Sequence, residues 1–308
     1  MISFRQLVVT IVSIFLALGL GILAGTTIID QSLVKTLRDN THAAERARDR
    51  YHAQSNASSA LINLLVPQVV GGRLAHRRIV LVTDANTDGG AIGEVKSFLA
   101  QAKADVVAEL HTTSSLAPGS TARTSLEQLL TADGVSSSGD PTQGAARALA
   151  DRLSAGTPGV DPRTGKPADD ILVDLLSGGF LDFPSPPNPQ DVGGPGQMVV
   201  IVAGGKGDPA VPFDSFMLPF AEQLVGRGVR IGAAEPRVTS RSLVGLLRQD
   251  ASVEGSDTVV TVDDLSTDDP VGGIALVLGL RDLLRTHPQG GDYGVKPGST
   301  GGLIPSKS

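Results

Sequence analysis

The chain of 308 residues contains no cysteine. Disulfides, thiolate metal centres and cysteine nucleophiles are therefore excluded together. Excess positive charge is also missing: the formal net charge is −6 and the sequence pI about 5.4. No basic cluster interleaves with aromatic residues, so a nucleic-acid partner is not expected. Soft metal ligands are scarce. The methionines are Met1, Met198 and Met217, and no M-x-x-M or H-x-H pattern occurs to hold a soft ion such as Cu(I). The histidines, His42, His52, His76, His111 and His287, include no i, i+4 pair, the spacing that chelates from one helix face. His111 ends a predicted strand and could belong to a site, but an exposed histidine is the simpler reading. There is no G-x-S-x-G elbow. The residues name no metal ligand, no cofactor site and no catalytic group, and the expectation is that the protein is not an enzyme.

Long apolar runs are limited to one. Gln6 to Ile29 reads QLVVTIVSIFLALGLGILAGTTII, with no charge between Arg5 and Asp30. At ~1.5 Å per residue a helix of this length covers the ~30 Å hydrocarbon core of a bilayer. The run exceeds the ~7–15 residues of a signal-peptide core. No clean small-x-small site follows, since Ile22 and Ala24 would sit at −3 and −1. The expectation is an uncleaved single-pass anchor behind a short tail, 1–5. Ala17, Gly21 and Gly25 recur every fourth residue. They form a small-residue stripe suited to helix pairing, although glycine is common in membrane helices generally. Orientation is not settled by charge. Lys35, Arg38, Arg46, Arg48 and Arg50 follow the helix and Arg5 precedes it. Taken alone, that count places the large domain in the cytoplasm, and a long soluble domain can override it.

Residues 31–66 read as a polar helical stalk that Pro67 ends. The best heptad frame sets Leu37, Tyr51 and Leu65 at a, with Ala44 and Ser58 between them. Leu33 and Leu61 stand at d, with Asn40, Ala47 and Gln54 between them. The ends of this seam are apolar and its middle is small or polar, and a core asparagine such as Asn40 can fix register. Beside a membrane helix with a small-residue stripe, a parallel homodimer through a coiled coil is expected. The alternative is a solvated monomeric stalk.

A globular domain is expected over 71–286. Ile79–Thr83 and the QMVVIVA run at 197–203 are continuous apolar segments, the mark of strands buried on both faces. Further strands are read at 105–110, 229–233 and 258–262. Helices are read at 92–104, 122–132, 143–154, 169–176, 213–226 and 270–285, with one more capped by Thr239 and running to Gln249. Strands alternating with helices predict a Rossmann-like three-layer α/β domain with a mainly parallel sheet. Residues 134–142 and 156–166 read as loops. Residues 178–196, with five prolines, read as an extended surface excursion, and 287–308 as a flexible tail.

The first strand-to-helix turn reads DANTDGGAIG. Its glycines do not make G-x-G-x-x-G, and Asp84 and Asp88 put negative charge where a phosphate would lie. Ala203-Gly-Gly-Lys-Gly207 lacks the Ser or Thr after Lys206 that would ligate magnesium, and reads as a glycine-rich turn. Asp263-Asp264 and Asp268-Asp269 would suit a hard cation. The preferred reading is a solvated turn and a helix N-terminus.

The opening MISFRQLVVTIVSIFLALGLGILAGT with its polar stalk, and the segment VTVDDLSTDDPVGGIALVLGLRDLL followed by Tyr293-Gly294, resemble the actinobacterial copper transport protein B family over nearly the whole chain. Residues 112–196 match poorly. The resemblance implies a role in copper efflux and copper resistance, with copper as the possible bound ion, and a large domain facing outward, with an outer envelope membrane possible. A corynebacterial relative in that family implies a second role, as the membrane subunit of a cell-division or cell-wall regulatory complex. The second role fits a non-catalytic dimeric interaction protein with envelope partners, which is also the reading the residues favour. One helix does not make a pore, and alternating β-hairpins of outer-membrane type are not evident.

Overall fold

The computed structural model describes residues 4–135, 139–159, 169–184, 189–300, 302, 303 and 305. Within the first helix the described side chains are those of 6–23, 35, 38–43, 45, 46, 48–51, 53, 62 and 64–70. The chain divides into two compact units, residues 1–61 and 62–308.

The first unit belongs to one helix, α1 (Phe4–Val70). Its window Gln6–Leu23 has a mean hydropathy of 2.4, and none of it is buried by protein. Among the described residues this is the one helix long and apolar enough to cross a membrane. The hydroxyls of Thr10 and Ser13 donate back to the carbonyls of Gln6 (2.9 Å) and Val9 (2.8 Å). Their polarity is thus spent inside the helix.

The second unit is a mixed α/β domain. In chain order its elements are β1 (Arg78–Asp84), α2 (Gly89–Gln101), β2 (Asp105–Thr112), α3 (Arg123–Ala132), α4 (Pro141–Ala155), α5 (Ile171–Ser177), β3 (Leu181–Asp182), β4 (Met198–Val202), α6 (Met217–Gly226), β5 (Ile231–Pro236), α7 (Leu243–Gln249), β6 (Val259–Leu265), α8 (Val271–Asp282) and β7 (Gly291–Tyr293). The strands form one seven-stranded sheet in the order β3-β2-β1-β4-β5-β6-β7. All pairs are parallel except β2 with the short edge strand β3.

The continuous apolar strands are explained by cover on both faces. Val80 and Val82 of β1 enter one core with helices α3 to α7. Their neighbours Ile79 and Leu81 enter a second core with α2, α8 and the end of α1. Successive side chains on a strand point to opposite faces, so each face needs its own apolar set. Helix α8 lies close against the sheet: a Cβ at Gly232 of β5 would sit 2.9 Å from a methyl carbon of Leu280.

Several expectations are corrected. Pro67 does not end the first helix, which continues to Val70. Val66 and Val70 are buried in the α2–α8 core, and the Pro67 carbonyl accepts from Gly71 (3.1 Å). Burial of that last turn outweighs the one hydrogen bond that a proline removes. The segment read as a flexible tail supplies β7, in register with β6 from Val260 opposite Gly291 to Val262 opposite Tyr293. The excursion at 178–196 is tied down by β3 and by the buried Phe180, Leu181 and Val192. The cap of α7 is Ser242, whose hydroxyl accepts from Gly245 (2.8 Å). The hydroxyl of Thr239 instead donates to the Arg241 carbonyl and accepts from Gly205.

Candidate functional site

In an open parallel sheet the ligand crevice lies beyond the carboxyl ends of the strands, where the strand order reverses. Here that point falls between β1 and β4. The chain fills it itself. Asp84, at the end of β1, is buried. One carboxylate oxygen accepts from the amides of Asn86 (2.9 Å) and Ala210 (2.8 Å). The other accepts from the Val211 amide (3.1 Å) and the Thr112 hydroxyl (3.3 Å). Backbone amides converging like this make an anion cradle, and the anion is the side chain of Asp84. The glycine-rich turn after β4 is stitched shut in the same way. The Gly204 carbonyl accepts from Asp88 (3.0 Å), the Gly205 amide donates to the Thr239 hydroxyl (3.1 Å) and the Gly205 carbonyl accepts from Ser240 (2.9 Å). Gly204 has φ +96°, and a Cβ there would fall 2.7 Å from the Thr239 hydroxyl, so glycine is required for this closure.

A second buried network ties the C-terminal strand to the sheet. Asp263 and Asp264 are not on a solvated turn, as expected from sequence; they are buried in β6. Asp263 pairs with the guanidinium of Arg248, whose side chain is only 3% exposed. It also accepts from the amides of Val295 (2.8 Å) and Lys296 (3.2 Å). Arg248 donates further to the Thr261 hydroxyl (2.8 Å) and the Tyr293 carbonyl (3.0 Å). Lys296 reaches the fully buried Glu235 (2.7 Å), which also accepts from the Ser242 hydroxyl (2.6 Å) and the Val244 amide (3.1 Å). Asp264 is held by Arg237, which also meets Asp269 (3.4 Å). Buried charges persist only when paired and hydrogen-bonded, and each of these is. The Tyr293-Gly294 pair acquires a physical meaning. The Tyr293 ring lies against Gly279 of α8, while a Cβ at Gly294 (φ +129°) would fall 2.2 Å from Asp263.

The other candidates are surface features. His111 meets Glu109 (3.1 Å), which also accepts from Lys96 (2.6 Å). Burial works to raise the Glu109 pKa, but Lys96 and His111 together outweigh it and hold the carboxyl below its ordinary value. Asp133 is pushed up to about 6, first by burial and then by the charge of Asp174 beside it. A groove of about 560 Å³ runs past Pro209, Pro212, Phe213 and Leu246. Among the described residues no three His, Asp or Glu side chains are grouped to hold a metal ion.

Of the residues expected to pair helices, Ala17 and Gly21 are exposed on α1, and nothing lies within 4 Å of a Cβ at Gly21. Tyr51 and Leu65 of the expected stalk seam are exposed. The side chains of Gly25, Leu33, Leu37 and Leu61 lie outside the described residues. Sequence reasoning missed Arg248, Glu235 and Lys296. For Glu235 and Arg248 the one signal was charge inside apolar segments, at AAEP and LLRQ; Lys296, in a glycine- and proline-flanked segment, gave none.

Comparison with known proteins agrees with the motifs at the two ends of the chain. The family model described as "Copper transport outer membrane protein, MctB" matches residues 1–304. The copper transporter MctB of Mycobacterium tuberculosis (strain ATCC 25618 / H37Rv) is 24% identical over 323 residues, covering 97% of this chain and 98% of that protein. The Mycobacterium leprae (strain TN) protein of the same name is 23% identical over 344 residues, covering 99% of this chain and 100% of its own. With the family model matched over residues 1–304, the chain belongs to the MctB family of copper transport outer membrane proteins.

Proposed function

We propose that this protein is a membrane-anchored envelope component of a copper-transport system, and that its α/β domain acts by holding protein partners rather than by catalysis or by forming a pore. The observation that carries the reading is the self-filled crevice: Asp84 consumes the amides of Asn86, Ala210 and Val211 that a bound anion would need. The sheet's usual ligand site is thereby turned into a structural plug. The names of the mycobacterial relatives support the copper role. The exposed apolar window Gln6–Leu23 supports a single-pass anchor. The Rossmann-like reading of the sheet, the stalk at 31–66 and the homodimer through α1 belong to the same proposal. So does a domain facing outside the cytoplasm.

The test is a deletion strain grown in graded copper, with cell copper measured by mass spectrometry. It is complemented with the full chain or with a chain lacking residues 1–30. The full chain should restore wild-type copper content and tolerance, and the anchorless chain should not. A deletion strain with unchanged copper content but abnormal septation would replace this role with the cell-division reading.

A further inference from the structure

Glu94 stands apart from the other acids of the domain. It lies on α2, four residues before Phe98, on the side that faces the loop between β6 and α8. Both of its carboxylate oxygens are shielded from solvent, and neither gains a well-formed hydrogen bond among the described residues. The nearest donors are the backbone amides of Ser266 and Gly273, which offset the burial only in part. A buried carboxylate without such partners is destabilised as an anion. The charges around it make this worse: Asp269 and Asp264 both face Glu94 and oppose its ionisation. Arg237 is already engaged by both of these acids. The end of α1, which brings Val66 to this place, carries no ionisable residue between 62 and 70. On α8 the first charged residue is Arg281. Among the described residues no cation is therefore at hand for the ionised form.

Room for that form lies next to it. A cavity of about 300 Å³ is lined by Glu94 with Val66, Ser97, Gln101, Ser266 and Thr267. It is open to solvent on one side and carries hydroxyl and amide groups that can hydrate a carboxylate. The loop above Glu94 is packed tightly onto α2. A Cβ at Gly273 would fall 2.2 Å from the Phe98 ring, and one at Gly90 would fall 3.3 Å from the Thr267 methyl.

We propose that Glu94 is a proton-operated latch: protonated, it stays folded beneath the β6–α8 loop, and on ionisation it swings into the adjoining cavity and loosens that loop's hold on α2. The proton leaves to solvent, and the group that receives the charge is the hydrated cavity wall. Burial, with the two aspartates, sets the midpoint at about 7, so the latch operates near neutrality. The folded-state value lies above the ordinary 4.5. The closed arrangement therefore keeps its full stability below about pH 4.5 and loses it as pH rises through 7.

The test uses the full chain in detergent micelles. Thermal unfolding of wild type and Glu94→Gln is followed from pH 4 to pH 8.5, with hydrogen exchange of residues 264–273 corrected for intrinsic rates. Gln cannot ionise, so the melting temperatures should run together at pH 4 and separate by several degrees by pH 8.5. Exchange of 264–273 should rise with pH in the wild type only. Curves that stay parallel at every pH would overturn the proposal. If Glu94→Gln does not fold, the ¹³C carboxyl shift of Glu94 in the wild type decides. A midpoint near 7 supports the latch, and one near 4.5 sinks it.

Discussion

Replacing Arg248 by Met tests the network that binds the last strand to the sheet. Methionine keeps the apolar stem and length but removes the guanidinium. Asp263, fully buried, then loses its only cation among the described residues, and the Thr261 hydroxyl and Tyr293 carbonyl each lose a donor. Breaking a buried pair by deleting one partner costs ~3–5 kcal/mol. The amides of Val295 and Lys296 still reach Asp263, which places the expected loss at the lower end, about 3 kcal/mol. For a domain of this size each kcal/mol moves Tm by ~2–4 °C, so a fall of roughly 6–12 °C is expected. The assay is thermal unfolding of the full chain in micelles, read by near-ultraviolet dichroism. The chain has two tyrosines and no tryptophan, and Tyr293 lies inside the network. Asp263→Asn should cost a similar amount. The double variant should recover at least about 2 kcal/mol of the summed loss, because neither charge is then left alone. Single variants that each cost less than about 1 kcal/mol, or losses that simply add, would refute the claim that this is a coupled buried pair.

Three further outcomes are expected. Gly294→Val places a branched side chain at φ +129° and against Asp263, so β7 should detach and the 291–296 amides should exchange quickly by mass spectrometry while Gly298→Ala, strained at φ +87° but adding one methyl 3.1 Å from the flexible Arg248 side chain, has a smaller effect. Asp133, raised to about 6 by burial and by Asp174, loses stability as pH climbs through that value; Asp133→Asn should melt higher than wild type at pH 7.5 and no higher at pH 4. Gly21→Leu together with Gly25→Leu should lower crosslinked dimer yield in membranes without lowering membrane insertion, and an unchanged yield would remove the pairing face from the account.

The parts of the fold that were legible are those whose pattern has a single physical cause. Ile79–Thr83 and the QMVVIVA run read as strands because both faces are covered, so polar residues are confined to their ends, Thr83 and Gln197. Asp84 was legible as a charge opposed to phosphate binding; its role as acceptor for three amides was not, because Ala210 and Val211 lie more than a hundred residues away. Strand β7 was invisible. Gly-Asp-Tyr has no periodicity, and its place comes from pairing with β6 and from the Arg248 network. Asp263-Asp264 was misread for a related reason. Two adjacent acids resemble a turn unless the guanidinium partners, Arg248 and Arg237, are seen to reach them. Pro67 was taken as a stop because local chemistry favours one, whereas the apolar contacts of Val66 and Val70 carry the helix past it.

The measurement that bears most directly on the account is the side of the membrane on which the domain lies. The chain has no native thiol, so a single cysteine is a clean reporter. Val238 is 69% exposed and suits the purpose better than Ser299, whose hydroxyl is bonded to the Gly294 carbonyl (3.0 Å). In spheroplasts bearing Val238→Cys, the account predicts labelling by a membrane-impermeant maleimide without lysis. Labelling that appears only after lysis would put the domain in the cytoplasm, as the five basic residues after the apolar window suggest, and would contradict the envelope role.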